Sequence, residues 1–367
     1  MHRPVFFATL QSSLLRVDVL KLLFTHLWRA LSAATRVAAV GMLAAALGAS
    51  PASAGITSSA EPREVRLWLM RIHNAAGQRN FQGTFVVSAA GSISSARIAH
   101  FYEGSHQFER IEPLDGQARH VLRHDNVVHT VWPLNKVALV EQRDAINSFP
   151  SMLLDGDDRI VDFYEVQPQK SERVAGHDAD VLWLKPRDAF RYGYRLWAET
   201  HSGLLLRAEV LNERGEVLEV SAFSEVSIGV RSQPELVLQP MRKQAGYRIV
   251  KPVLSPTQLS AEGWGLRQGV AGFRQLSCIR RPLELLGGVD SKLPATEALQ
   301  TVFTDGITYV SVFIEPFDAQ RHVRPAINTV GATQTLTSRH GNFWLTVVGD
   351  VPTVTLRAFV AALERTK

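Results

Sequence analysis

Periodic patterning of apolar and polar positions becomes clear just after Pro62. In "REVRLWLMRIHNAAGQ", Val65, Trp68, Leu69, Ile72 and Ala76 recur at helical spacing until Gly77 supplies a stop, which predicts one amphipathic helix. From Phe81 the period shortens. "FQGTFVVSA", "ARIAHFY", "SHQFERIEP", "QARHVLRH", "VVHTVW" and "KVALVEQ" read as short strands. Gly91, "EGS", Asp115-Gly116, Asp125-Asn126 and the "PLN" at Pro133 punctuate them, as in an antiparallel meander. A short helix around "FPSMLL" and the acidic loop "DGDDR" interrupt the series. Strands then resume at "VDFYEVQ", "ADVLWLKP", "FRYGYRLWAE", "LLLRAEVLN" and "EVLEVSAFSEV". About ten strands behind one long helix predict a strongly curved sheet or open barrel with helices laid against it, a shape whose interior can hold an apolar ligand.

The pattern fades in "SIGVRSQPELVLQPMRKQA", which contains two prolines, so a linker is expected over residues 230–245, between a first domain at 55–229 and a second at 246–367. The second domain reads as strands "TYVSVFIEP", "INTVGATQT" and "NFWLTVVGD", closed by a helix "TVTLRAFVAALER". There Leu356, Phe359, Val360 and Leu363 share a face and Pro352 sits just before the start. The predicted fold class is α+β and predominantly antiparallel β, with a large first domain and a small α+β unit behind it.

Composition changes this picture at the front of the chain. Arg29 and Arg36 precede the uncharged run "VAAVGMLAAALGA" and then "SPASAG", where Ala52 and Ala54 occupy the small-residue positions of a secretory cleavage site. Residues 1–54 are therefore expected to be a leader and removable signal peptide, the run being shorter than the roughly 18 residues of a spanning helix. Without them 35 basic residues face 34 acidic ones, a formal charge of +1, and a nucleic-acid partner loses its support. Residues 55–245 carry 22 basic and 25 acidic residues and residues 246–367 carry 13 and 9, so the second domain is the one suited to an acidic partner. Cys278 is the only cysteine, which excludes a disulfide within the chain and reads as a small buried hydrophobe. Export without a disulfide suits a Gram-negative periplasm.

Candidate chemistry is sparse. In "HVLRHDNVVH", a two-residue turn at Asp125-Asn126 would pair His124 with Val127 and Leu122 with His129, turning His120, His124 and His129 to one sheet face. Yet His120 and His124 would stand about 13 Å apart at about 3.3 Å per residue, too far for one ion, so no metal is expected there. "DGDDR" lacks the spacing of a calcium loop, and "GWGLRQG" matches a dinucleotide fingerprint only loosely, so no cofactor is expected. Glu199, His201 and Ser202 place an acid, a base and a hydroxyl within four residues. Their flanks alternate as strands, however, and residues 200–203 read as a hairpin connection whose side chains diverge. No catalytic residue is assigned and the chain is not expected to be an enzyme; a periplasmic hydrolase fails for want of a converging motif.

The order and spacing of several pieces resemble one family over most of the chain. These are "NFQGTFVV", "HFYEGSHQFERIEPLDGQARHVLRHDN", "FPSML", "ERVAGHDADVLWLKPRDAFRYGYRLWAETHSGLLLRAEVLNERGEVLE", "FTDGITYVSVFIEP" and "VVGDVP". Together they are similar to the MucB/RseB family, periplasmic negative regulators of the sigma-E envelope-stress response. Where that family often has a W-L-P-x-G-F-like segment, this chain has "GWGLRQGVAGFRQL", keeping Trp264, Gly272 and Phe273. The resemblance implies a first domain like the LolA lipoprotein carriers, an unclosed β-barrel packed on helices. It also implies a role without catalysis: binding the periplasmic part of a single-span anti-sigma factor, shielding it from proteolysis, and releasing it to lipopolysaccharide or a related lipid. Self-association as a homodimer or higher oligomer is implied too. The alternative is a periplasmic lipid or lipoprotein carrier, against which the second domain argues. On this reading Phe85, Val87, Ile98, Phe108, Leu196 and Leu206 are the candidate lipid contacts. Phe313, Arg321, Arg324, Arg339, Phe343 and Trp344 are the candidate partner contacts, arginines for charge and aromatics for apolar area.

Overall fold

The structure is a computed structural model that describes residues 61–142, 159–282 and 297–366. The expected leader, the short helix around "FPSMLL" and the acidic residues Asp155 to Asp158 lie outside the described residues. Helix α1 (Pro62–Gln78) runs one residue past the expected stop at Gly77. Its Val65, Leu69, Ile72 and Ala75 are buried as the helical spacing requires.

Strands β1 (Phe81–Ala89), β2 (Ser92–Glu103), β3 (His106–Pro113), β4 (His120–His124), β5 (Val127–Trp132) and β6 (Val137–Gln142) form the meander. Helix α2 (Ile160–Phe163) is a single turn where an extended segment was expected. Strands β7 (Tyr164–Val174), β8 (His177–Pro186), β9 (Gly193–Glu199), β10 (Leu205–Leu211) and β11 (Val217–Ile228) complete the first domain. β11 returns to pair with β1, so both meanders join in one sheet.

The expected linker is not a free connection. Residues 235–242 form helix α3 (Glu235–Arg242), with Pro240 inside it. Val237, Leu238 and Met241 of this helix pack on Phe101, Phe108, Leu122, Val131 and Ala138, the convex face of the sheet. Beyond it, β12 (Arg248–Val250) pairs in parallel with β6. Among the described residues the sheet thus has 12 strands in the order β12-β6-β5-β4-β3-β2-β1-β11-β10-β9-β8-β7, and its two ends do not meet. It is an unclosed, mainly antiparallel sheet wrapped round α1, as expected.

The second domain comprises β13 (Ser255–Pro256), β14 (Trp264–Leu266), β15 (Arg274–Pro282), β16 (Glu297–Thr304), β17 (Tyr309–Pro316), β18 (Ala326–Val330), β19 (Thr333–His340), β20 (Phe343–Gly349), α4 (Thr353–Ala362) and β21 (Leu363–Arg365). Among the described residues its main sheet has seven strands, ordered β13-β15-β16-β17-β20-β19-β18. The segment read as one strand across "INTVGATQT" is a hairpin, because Gly331 at φ 59° turns the chain. Helix α4 buries Leu356 and Phe359 against one face of the sheet. The expected helix stops three residues early, where Leu363 to Arg365 pair with β14 instead.

Turns of the second domain reach into the core of the first. Ile307 and Ala332 of the second domain belong to the apolar cluster of the first. A Cβ at Gly331 would lie 2.8 Å from that of Ala89, so the hairpin tip can approach β1 only as glycine.

Candidate functional site

The concave face of the large sheet carries five of the six candidate lipid contacts. Phe85, Val87, Ile98, Leu196 and Leu206 join one buried apolar cluster with Val65, Leu69 and Ile72 of α1. Phe108 does not belong there. Ile98 pairs with Ile111 while Phe101 pairs with Phe108, and Phe108 stands three positions before Ile111, an odd step. Side chains alternate along a strand, so Phe108 points to the convex face, under Val237 of α3.

The tempting acid, base and hydroxyl make a turn. Glu199 Oε1 is 3.1 Å from His201 Nδ1, and its Oε2 accepts the Ser202 amide at 2.5 Å. Ser202 Oγ in turn accepts the Leu204 amide at 3.2 Å, so the imidazole engages the acid and not the hydroxyl. Burial opposes ionisation of Glu199, but the bonds from Ser202 and His201 outweigh it and hold the carboxyl down at about 2.

His120, His124 and His129 take the expected register, with Leu122 opposite His129 and His124 opposite Val127. Each has its own partner. His120 Nδ1 is 3.1 Å from Glu112, and His129 Nδ1 is 2.8 Å from Gln244 Nε2, with burial pulling its pKa down.

In the second domain the candidate partner contacts divide between the two faces of the sheet. Phe343 lies on the α4 side, edge-on to Trp264 with ring centres 5.1 Å apart. Phe313 and Trp344 lie on the opposite face and are buried, so the apolar area expected of them is not at the surface. The reason is that β17 is buried at seven consecutive positions, Tyr309 to Glu315, a two-sided core strand. Trp344 stacks on His322 at 4.8 Å, Arg321 pairs with Glu315, and the exposed Arg339 lies over Phe317 at 3.9 Å. Arg324 is exposed nearby in sequence. Arg324, Arg339 and the half-buried Phe343 therefore retain surface for a partner.

Phe343 also lines a groove of about 360 Å³ with Trp264, Leu299, Ile314, Glu262 and Arg280. The Arg365 guanidinium lies 5.3 Å from the Trp264 ring and 5.0 Å from the Phe343 ring. Two bonds from Arg280, at 2.8 and 2.6 Å, hold Glu262 ionised below its usual pKa.

Sequence reasoning missed the domain junction. Arg191, between β8 and β9, reaches Asp305 of the β16–β17 turn at 3.3 Å, and Tyr164 donates to the same oxygen at 3.1 Å. Around them, Thr355 Oγ1 donates to the Phe190 carbonyl at 2.6 Å, and Gln334 Nε2 donates to the Tyr192 hydroxyl at 3.4 Å. The segments "RDAFRYGYR" and "FTDGITYV" carry Phe190, Arg191, Tyr192 and Asp305. Read singly, they offer only a strand start and an Asp-Gly turn; complementarity between them exists only in three dimensions.

These features define a two-domain protein in which a wrapped, unclosed antiparallel sheet is bolted to a small α+β domain. Residues 64–242 match the MucB/RseB N-terminal domain and residues 258–364 the MucB/RseB C-terminal domain. The chain is 30% identical over 295 residues to the sigma factor AlgU regulatory protein MucB of Pseudomonas aeruginosa, covering 78% of this chain and 86% of that protein. It is 25% identical over 305 residues to the sigma-E factor regulatory protein RseB of Escherichia coli K12, covering 82% and 90%. Among solved structures, MucB in complex with MucA(peri) aligns with a TM-score of 0.63 at 26% identity, over 82% of this chain and 99% of that one. The chain belongs to the MucB/RseB family, whose curated relatives are sigma-factor regulatory proteins.

Proposed function

We propose that the protein is a periplasmic negative regulator of a sigma-factor pathway, which binds the periplasmic part of a single-span anti-sigma factor and keeps it from proteolysis. The carrying observation is that both domains, in order, align with a MucB that was solved in complex with MucA(peri). Protection then follows by mass action: an anti-sigma segment held by the regulator is withheld from the protease. The exposed Arg324 and Arg339 supply charge for that segment, and the Phe343 rim supplies apolar area on the opposite face of the sheet from Trp344, while Arg321, Phe313 and Trp344 belong to the packing on the Arg339 face.

Release is triggered by lipopolysaccharide or a related lipid acting on the first domain. Phe85, Val87, Ile98, Leu196 and Leu206 form the apolar lining into which an acyl chain inserts between α1 and the sheet, in place of contacts from Val65, Leu69 and Ile72. A ligand that favours the opened arrangement shifts the balance only by its differential affinity for the two states. The test is capture of the periplasmic segment of the anti-sigma factor by the protein, followed by protease challenge with and without lipopolysaccharide. The expected result is capture and protection, both lost on adding the lipid; a protein that neither binds nor protects the segment overturns the reading.

A further inference from the structure

The histidines in "HVLRHDNVVH" cannot share an ion among themselves, but the fold brings in a further one from β3. His106 opens β3 and His124 closes β4, and the register sets Phe108 opposite His124, so the two histidines lie diagonally across the strand pair. Asp125 follows in the turn with φ 52°. His106 Nδ1 is 2.7 Å from Asp125 Oδ2, and His124 Nε2 is 3.5 Å from the same oxygen. One ligand atom from each of the three falls within 4.8 Å of the others.

Two of these side chains are held in place by groups that are not themselves ligands. Asp125 Oδ1 accepts the Gln107 amide at 2.9 Å, the Asp125 amide donates to the Gln107 carbonyl at 2.9 Å, and Arg123 Nε donates to the Asp125 carbonyl at 2.6 Å. The His124 ring stacks on Phe108 at 4.8 Å and 8°. His106, with 57% of its side chain exposed, has the room to rotate.

We propose that His106, His124 and Asp125 form a site for a divalent transition-metal ion, with zinc as the ion they fit. Two imidazole nitrogens and one carboxylate oxygen are a borderline donor set suited to zinc, and three protein ligands leave a position for water or for a ligand from a partner. Bonds of about 2.0–2.1 Å in a tetrahedron place ligand atoms roughly 3.3 Å apart. The two histidine-to-aspartate separations, 2.7 and 3.5 Å, straddle that value, and rotation of His106 closes the remaining edge. The Gln107 amide and the Phe108 ring act as the outer support that orients ligands in such sites. A bound ion ties the start of β3 to the β4–β5 turn on the outer surface of the first domain, away from the concave lipid lining.

The test is calorimetric titration of zinc chloride into the full chain, free of affinity tag and stripped with a chelator, with cobalt absorption as a second readout of ligand geometry. One ion per chain is expected. His106→Ala, His124→Ala and Asp125→Asn should each weaken binding on the order of 10- to 100-fold or more. His120→Ala and His201→Ala should bind as the parent does. His106→Ala is decisive, because its exposed side chain can be removed without disturbing the turn, as circular dichroism would verify. Parent-like binding by His106→Ala, or a parent chain that takes up no zinc, overturns the proposal.

Discussion

Arg191 and Asp305 form an ion pair across the domain junction, Nη1 to Oδ2 at 3.3 Å, with both side chains 0% exposed. Arg191 is fully engaged: Nε meets Asp188 at 3.0 Å, Nη2 donates to the Ala271 carbonyl at 2.7 Å, and its guanidinium lies 4.4 Å from the Phe163 ring. Asp305 also accepts the Ile307 and Thr308 amides at 3.0 and 2.9 Å. Burial pushes the Asp305 carboxyl up, while these amides and Arg191 pull against it. The same burial drives the Tyr164 phenol well above its usual pKa, which keeps it a donor to Asp305.

Breaking that pair should loosen the junction more than it unfolds either domain. Asp305→Ala leaves Arg191 buried with Asp188 as its remaining carboxylate and should cost about 3 kcal/mol in urea unfolding. Hydrogen exchange should rise first at residues 187–192 and 305–308. Loss of a few tenths of a kcal/mol, as at an ordinary surface position, would show that the pair does not hold the domains together.

The Glu199 turn makes a second prediction. Glu199→Gln should cost about 1–3 kcal/mol, because two charge-assisted acceptor bonds are weakened. His201→Ala, at a side chain 90% exposed, should change stability by less than about 0.5 kcal/mol. The sign with pH follows from a folded pKa of about 2 against the ordinary 4.5. The stabilisation is fully present above the ordinary value and is lost as pH falls through the folded one. The difference between parent and Glu199→Gln in urea midpoint should therefore shrink over that acid window.

How far the sequence spoke for itself differs element by element. β1 was legible to the residue because Phe81, Phe85, Val87 and Ala89 are buried in near alternation. The register of β4 and β5 was legible because Asp125-Asn126 left one two-residue turn. α2 was not, since four residues of "IVDF" read equally as strand start or helical turn. α3 was hidden by Pro234 and Pro240, although Val237, Leu238 and Met241 already had helical spacing. β16 escaped because it is buried at seven successive positions, with polar Gln300, Thr301 and Thr304 among them, and so shows no alternation. The inward choice of Phe108 failed on parity alone, and the ion-pair junction depended on contacts between segments more than 100 residues apart.

Cys278 should be chemically silent in the native protein. Its thiol is buried, which together with the nearby Glu262 charge raises it to about 11, against one bond from Thr301 that lowers it. A thiol reagent at mildly alkaline pH should label the folded chain slowly and the urea-unfolded chain at the rate of a free cysteine. Equal rates in both states would place the thiol at the surface.

His100 should set part of the acid limit of the first domain. It sits on the concave side of β2 with Nδ1 donating to the Arg79 carbonyl at 2.9 Å and its ring stacked on Phe81 at 5.1 Å. Burial lowers its pKa, and the bond to Arg79 and the charge of Glu109 only partly restore it, with Arg123 adding to the fall. The neutral ring is therefore the form the fold favours. Its stabilisation is fully present above the ordinary value of 6.5 and is lost as pH falls below that value and through the depressed one. His100→Phe cannot take up that proton. It should cost about 1 kcal/mol at neutral pH for the lost bond to Arg79. Below the ordinary histidine range the same variant should lose stability less steeply than the parent, so that the two curves of urea midpoint against pH converge. Parallel curves would mean that His100 titrates alike in the folded and unfolded chain, and that the acid limit belongs to the carboxylates.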